Sequence, residues 1–418
     1  MLFGIAAAFT ASACLVAALP FTTDPPAPAP ARAPHTTTTP AAAEPASSVD
    51  PDGGSATTQQ PTRPVTQPDA TPEDGPPADF GVFLGSGPEG IRRADAMSRW
   101  LGGTPITVGR TYLPGDLWSN IEGRPDFLRP WAEWRSEDPD RLFVLNVPMA
   151  ERNEEGVPDR EVRRMLRAGA RGAFDHHYRL LAERLVGLGL DDTVIVLGWE
   201  MNGTTYTHRC APDPAAWKRY WRSVVTTMRA VPGQRFRFDF APSRGTDAIG
   251  WAHCYPGDDH VDIIGMDSYD QPPGADFDEQ VRQPYGLQHH VDVAAARGKP
   301  ISFPEWGLFR NGDNPEYMRR MLDWIAEHRP VYHSISDYCP HGVWWCPGNT
   351  ASAEVFRDAF SPASLPGAGR TARDEAAPPS GGTGDELPAR GPAGAAAPAA
   401  ESTADEASSE QEDNTPAG

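Results

Sequence analysis

Residues 194–203 read VIVLGWEMNG and residues 300–307 read PISFPEWG. Each is a short apolar run that ends on a glutamate in aromatic company. A continuous apolar run bounded by polar or turn residues fits a strand buried on both faces, as in a parallel sheet covered by helices. Similar runs occur at 80–84 (FGVFL), 106–112 (ITVGRTY), 142–147 (LFVLNV), 236–240 (FRFDF), 261–269 (VDIIGMDSY) and 331–338 (VYHSISDY). Amphipathic stretches such as 160–168, 175–188, 214–230, 277–297 and 315–328 lie between them. Strand–helix repeats in this number predict an α/β protein closed into a (β/α)8 barrel, the TIM-barrel architecture. An open doubly wound sheet is the runner-up. It usually binds a nucleotide at a Gly-rich first turn, and FLGSGPEG at 83–90 only poorly imitates that fingerprint.

The chain has 418 residues, a net charge of −20 and 45 prolines, but these totals mix two kinds of sequence. Residues 21–78 are mostly Pro, Ala, Thr, Asp and Gln, and residues 362–418 mostly Gly, Pro, Ala, Ser and acids. Neither stretch can bury enough apolar surface to offset its ordering entropy, so both are expected to be disordered. Residues 79–361 hold nearly all the aromatic side chains and form the expected catalytic barrel domain. The acidic balance argues against a nucleic-acid partner, because no basic stripe is available for phosphates.

Residues 1–20 are apolar and uncharged, which fits a signal peptide, with a membrane anchor as the alternative. Export is therefore expected, with membrane association only if that segment is retained. Apart from Cys14, the cysteines are Cys210, Cys254, Cys339 and Cys346. Four cysteines in an exported chain suggest two disulfides, and three pairings are possible. Cys339–Cys346 would close a short loop and Cys210–Cys254 would tie two long ones, so that pairing is favoured. No Cys-x-x-Cys pair is present to suggest zinc, and no metal or other cofactor is expected.

Barrel enzymes carry their chemistry at the carboxyl ends of the strands. There, the fourth run ends on Glu200 and the seventh on Glu305. Glutamate is a poor strand residue and costly to bury, so two such placements need a reason. Glycoside hydrolysis with retention supplies one, since it uses two carboxyl groups about 5–5.5 Å apart. Each glutamate could instead cap a helix or pair with an arginine.

Trp-Glu-Met-Asn-Gly at 199–203 and Pro-Glu-Trp-Gly at 304–307 resemble the signatures of glycoside hydrolase family 26, the endo-β-mannanase family. Residues 255–269 resemble that family's sixth-strand region, and the likeness runs from about residue 80 to residue 360. The resemblance implies that Glu200 is the acid/base and Glu305 the nucleophile of a retaining endo-β-glycanase. It further implies that Tyr269 hydrogen-bonds the nucleophile. β-1,4-Mannan is the implied polysaccharide, with β-1,3-xylan and mixed-linkage β-glucan as alternatives. The chain also departs from the family. Many members carry His where this sequence has Trp199, and Ala241-Pro242-Ser243 stands where Asn is frequent. The loop Thr204-Thr205-Tyr206-Thr207-His208-Arg209 differs too, which leaves room for a non-catalytic polysaccharide-binding barrel.

Other substrate-binding candidates are Asn202, Trp199, Trp251, Trp306 and Trp344, with Tyr255 and Trp345 also near strand ends. Asn202 could instead form a simple Asn-Gly turn. Arg110 and Asp267 are candidates for sugar hydroxyls, or for an internal ion pair with each other. The pairs His176–His177 and His289–His290 lie in predicted helices, where neighbouring side chains diverge, and read as surface or packing residues. A monomer is expected.

Overall fold

A computed structural model describes residues 78–272 and 276–360. The predicted leader, the two low-complexity flanks apart from residue 78, and residue 361 lie outside the described residues. Among the described residues, nine strands form one parallel sheet: β1 (Asp79–Phe83), β2 (Val108–Tyr112), β3 (Leu142–Val147), β4 (Val194–Leu197), β5 (Arg237–Phe240), β6 (Ile263–Gly265), β7 (Ser268–Asp270), β8 (Ile301–Leu308) and β9 (Tyr332–Ser336). Their order is β6-β5-β4-β3-β2-β1-β9-β8-β7, and β6 also pairs with β8. That last pairing closes the sheet, with β6 and β7 acting as two halves of one sixth stave. The architecture is the eight-stave (β/α)8 barrel that the sequence predicts.

Two irregularities position side chains at the barrel mouth. The sequence predicts one strand over 261–269, yet the structure breaks it at Met266 and Asp267. The Asp267 N–H turns to the carbonyl of Pro242 at 2.9 Å, and Ser268↔Trp306 pairing then resumes against β8. The second irregularity is in β8, where Phe303 pairs with His333 but Trp306 with Ile335. Three residues on one strand thus advance against two on the other, which is a bulge. Pro304 sits inside it, where its missing N–H leaves no ladder bond unmade. Ser302 faces the barrel interior through its bond to Asp239, and Phe303 packs outside. Simple alternation would next turn residue 304 inward, so the bulge delivers Glu305 to the interior instead.

The interior is apolar at several levels and polar at others. Val108, Val144, Val194, Val196 and Ile263 share one buried cluster with Trp199, Tyr206 and Tyr332. Among them Asp239 accepts hydrogen bonds from Ser302 Oγ (2.6 Å) and Tyr332 Oη (2.7 Å). Burial pushes the Asp239 carboxyl up to about 6 despite those two donors. The larger core lies between the sheet and the surrounding helices. Helix Pro214–Arg229 opens on a proline after Asp213, whose carboxylate caps Ala216 N at 3.0 Å. Its buried face reaches the neighbouring strand ends. Trp221 Nε1 donates to Leu197 O (3.1 Å), Trp217 Nε1 to His208 O (2.6 Å) and Tyr220 Oη to Met149 O (2.7 Å).

The predicted helix over 277–297 is two helices, Phe277–Arg282 and Leu287–Ala296. Pro284 cannot continue the helical bonding pattern, and Tyr285 takes a left-handed φ of 60°. Both favoured disulfides are present, Cys210–Cys254 and Cys339–Cys346. The first ties the loop after β4 to the 3-10 turn Trp251–Cys254. Among the described residues, no helix is long and apolar enough to cross a membrane.

Candidate active site

The carboxyl ends of β4 and β8 bring Glu200 and Glu305 together, and both are 4% exposed. Glu200 follows the strand on a backbone that turns sharply. Gly198 is left-handed at φ 58°, and a Cβ there would meet Met149 Sδ at 2.5 Å, so only glycine fits. Glu200 itself has φ 49°, an uncommon conformation for a residue with a side chain. Its N–H donates to Ala241 O at 2.8 Å, which ties the kink to the end of β5. Strain held by surrounding contacts is frequent where a side chain must be aimed.

The surroundings of Glu200 are largely apolar. Burial raises its pKa to about 8, and the nearby Glu305 charge adds to the rise, while Ser243 and Tyr206 oppose it. Trp199 packs edge-on against Tyr112 (5.5 Å), Tyr206 (5.0 Å) and His208 (5.1 Å), forming a wall beside it. His208 is oriented by a 2.8 Å contact from Nε2 to Trp199 O, and burial lowers its pKa to about 4.

Glu305 has polar partners instead. Tyr269 Oη donates to its Oε2 at 2.8 Å, and Asn146 Nδ2 makes a long bond to Oε1 at 3.4 Å. Arg110 Nη1 lies 3.7 Å from Oε1, inside the barrel. Arg110 is held by Pro304 O and by Ser336 Oγ at 3.1 Å, and its guanidinium lies 4.9 Å from the Tyr112 ring centre. Ser336 Oγ also contacts Tyr269 Oη at 2.8 Å, so one hydroxyl steadies both partners of Glu305. Burial, with the Glu305 charge second, keeps Tyr269 protonated well beyond the usual phenol range, so it stays a donor.

Asp267 is 2% exposed at the break between β6 and β7. Burial first, then Glu305 and Glu200, push its carboxyl well above the usual range. Neither of its oxygens has a hydrogen-bond partner among the described residues, and Arg110 pairs with Glu305 rather than with Asp267. An internal Arg110–Asp267 pair is therefore not formed.

The other candidates separate clearly. Asn202 is buried with its amide turned to the loop after β5, receiving Ser243 N (2.9 Å) and donating to Ser243 O (3.0 Å). Trp251 and Trp306 turn away from the carboxylates into the helix layer. Trp251 Nε1 reaches Tyr285 O (3.0 Å), and Trp306 Nε1 reaches His333 Nδ1 (3.2 Å). An aromatic side chain next to a strand end has two faces to choose from, and here bulge and turn send these rings outward. Trp344 is buried, while Trp345 beside it is half-buried against Arg93 (4.4 Å). Asp337 receives the N–H groups of Val343, Trp344 and Trp345 and so fixes that loop.

Asn146, Tyr206, Ser243 and Ser336 were not among the sequence candidates for this site. Asn146 carried a usable signal, as the one polar residue in LFVLNV. Ser336 and Tyr206 carried none, because a serine in a strand and a tyrosine in a loop are ordinary.

A closed parallel barrel with two unlike glutamates at its carboxyl-end mouth is the arrangement of a barrel glycosidase. Residues 197–308 match the sequence model of glycosyl hydrolase family 26, a span from the end of β4 to the end of β8 that takes in both glutamates. Over that span the chain is similar to the family. Its fold is similar to that of a Bacillus subtilis mannanase (15% identity, 68% of this chain and 86% of that chain, TM-score 0.52). The catalytic domain of a Bacillus sp. endo-β-1,4-mannanase is similar too (17% identity, 68% and 87%, TM-score 0.51). So is a family 26 protein from a Muricauda species (16% identity, 68% and 84%, TM-score 0.52). At these identities the likeness concerns the fold. No curated protein matches the chain in sequence.

Proposed function

We propose that the protein is a secreted retaining endo-β-glycanase that cleaves β-1,4-mannan-type polysaccharide. The observation that carries the mechanism is the inequality of the two carboxyl groups. Glu200, protonated up to about pH 8 by its apolar pocket, is suited to give a proton to the leaving glycosidic oxygen. Glu305, held by Tyr269 and Asn146 beside Arg110, is placed to attack the anomeric carbon. Attack forms the glycosyl–Glu305 bond as the C–O bond to the leaving sugar breaks and Glu200 protonates that oxygen. Glu200, now ionised, then takes a proton from water, whose oxygen displaces Glu305 and regenerates both groups. Asp267, kept neutral by burial, is suited to donate to a sugar hydroxyl at the same point.

The mannan assignment follows the family match and the mannanases with a similar fold. β-1,3-Xylan and mixed-linkage β-glucan are the alternatives, because the loops around Trp199 and Ser243 depart from the family pattern. Secretion is supported by the apolar leader and by the two disulfides, which persist in oxidising compartments. In this reading residues 1–20 are a signal peptide, 21–78 and 362–418 are linker and tail, and the barrel works as a monomer.

A reducing-sugar assay on a panel of β-glycans tests the activity, with Glu305→Ala as control. Equal hydrolysis by both proteins would sink the mechanism. Proton NMR of the first-formed anomer tests its stereochemistry, and an inverted product excludes Glu305 as a covalent nucleophile.

A further inference from the structure

Beside the loop that follows β5, a hollow of about 530 Å³ opens between the turn Gln283-Pro284-Tyr285-Gly286 and helix Leu287–Ala296. That volume falls within the ~300–1,000 Å³ typical of small-molecule sites. Its wall is built around Tyr285. This tyrosine holds a left-handed φ of 60°, which a bulky side chain adopts only under constraint. The constraints are visible. Its carbonyl accepts from Gly245 N (2.9 Å) and from Trp251 Nε1 (3.0 Å), while its ring packs edge-on against Trp251 (5.9 Å) and His289 (5.0 Å). A Cβ on Gly250 would meet the ring at 2.3 Å, so glycine there makes room for it. The ring is thus locked and half-buried at the hollow.

Around it stand planar polar groups. Gln288 and Asp292 are exposed on one face of the helix, joined by a 2.9 Å bond from Nε2 to Oδ1. Arg282 is exposed at the hollow, 3.9 Å from Asp278, and Gln283 Nε2 and His289 Nε2 have no hydrogen-bond partner among the described residues. An amide, a carboxylate and a guanidinium each bind two neighbouring hydroxyls, and an aromatic face takes the C–H side of a pyranose. The carboxylate disfavours an anionic ligand, and a lining that joins apolar surface from Val281, Pro284 and Tyr285 to a few polar groups suits an amphiphilic one such as a sugar. We propose that this hollow is an auxiliary carbohydrate site, which holds a stretch of the polysaccharide chain outside the catalytic cleft. The proposal rests on the glycan-active reading of that cleft. The two sites share a loop. Gly245 bonds Tyr285, while Ser243 and Asp247 of the same loop act on Glu200.

The test is affinity electrophoresis through gels containing soluble β-mannan, β-glucan or xylan, with a short oligosaccharide in excess to fill the cleft. Protein carrying Glu305→Gln is used so that the polymer is not digested. Retardation by one polymer is expected, weakened at least about threefold by Gln288→Ala/Asp292→Ala and by Tyr285→Ala, a change of about RT ln 3. In the Glu305 protein, Gln288→Ala/Asp292→Ala should leave kcat/KM on a short oligosaccharide within about twofold, since both residues are exposed and neither is among the groups that contact Glu200 or Glu305. If Tyr285→Ala fails to fold, the exposed double variant decides alone. Undiminished retardation in the double variant overturns the site, and so does a lack of retardation by every polymer. Tyr285-dependent retardation without hydrolysis of any glycan keeps the site and overturns the catalytic reading.

Discussion

Glu305 and Glu200 sit at the ends of two strands of the same barrel, equally buried, yet the chain builds around them in opposite ways. Glu305 lies on a strand bulge and accepts from Tyr269 and Asn146 beside the Arg110 guanidinium. Glu200 lies on a left-handed kink next to Trp199 and Tyr206, where the neighbouring negative charges raise its pKa further. The difference teaches that equal burial does not give two carboxylates equal surroundings. Donors and a cation surround one carboxylate, while burial against an apolar wall leaves the other to hold its proton.

The comparison breaks most visibly if the two positions are interchangeable on mutation. Glu305→Ala should lower kcat by at least about 10³-fold on every substrate, since no bond-forming group remains. Glu200→Ala should cost about 10²–10⁴-fold on polysaccharide, the usual worth of a general acid. It should cost far less on an aryl glycoside whose leaving group needs no proton. Azide should then speed the second step of Glu200→Ala and give a glycosyl azide of retained configuration. Equal losses on both substrate types, with no azide effect, would show that Glu200 is not the acid.

Tyr269→Phe sharpens the Glu305 side. It removes one hydrogen bond to a charged group, worth about 1.5–3 kcal/mol, so kcat/KM should fall roughly 10- to 100-fold. A fall of less than about twofold in steady-state kinetics would mean that Asn146 and Arg110 suffice to hold Glu305.

Much of this contrast was legible in the sequence, and the reason is positional. VIVLGWE and PISFPEW place a glutamate where an apolar strand stops, which fixes both the barrel mouth and the pair. Tyr269 followed from the resemblance of VDIIGMDSY to the family's sixth strand. The face on which a side chain lands was much less legible. The bulge at Pro304 turns Glu305 inward and Trp306 outward, and an alternation rule cannot count a bulge it does not see. Trp251 went outward for a related reason, since its 3-10 turn is tied through Cys254 to Cys210, 44 residues away in sequence, and its indole N–H is taken by Tyr285 O. Asn146 and Ser336 come from other staves of the barrel, so they meet Glu305 only through closure.

The Glu200 side also has a stability signature. Its carboxyl pKa is about 8 in the fold against an ordinary value near 4.5. Between those values the folded protein keeps a proton that the unfolded chain has released, so stability falls as pH rises through the window. Glu200→Gln cannot ionise. It should therefore melt higher than the parent above about pH 8, by several degrees at roughly 2–4 °C per kcal/mol, and show no such gain below about pH 4.5. Scanning calorimetry across pH measures this, and a gain that is independent of pH would mean that the stabilisation has another source.

The smallest expected effect is the most selective for the comparison. Tyr206 lowers the pKa of Glu200 by hydrogen bonding, against the larger upward push of burial. Tyr206→Phe removes that bond without removing the ring that packs on Trp199 at 5.0 Å. The Glu200 carboxyl should then hold its proton to higher pH, because the ionised form loses a donor. The alkaline limb of kcat/KM, set near 8 by loss of that proton, should move upward by less than about one unit. At pH 6, where Glu200 is protonated in both proteins, the rates should agree within about threefold. A downward shift would mean that Tyr206 stabilises the protonated acid, and the apolar wall would then not be what holds the proton on Glu200.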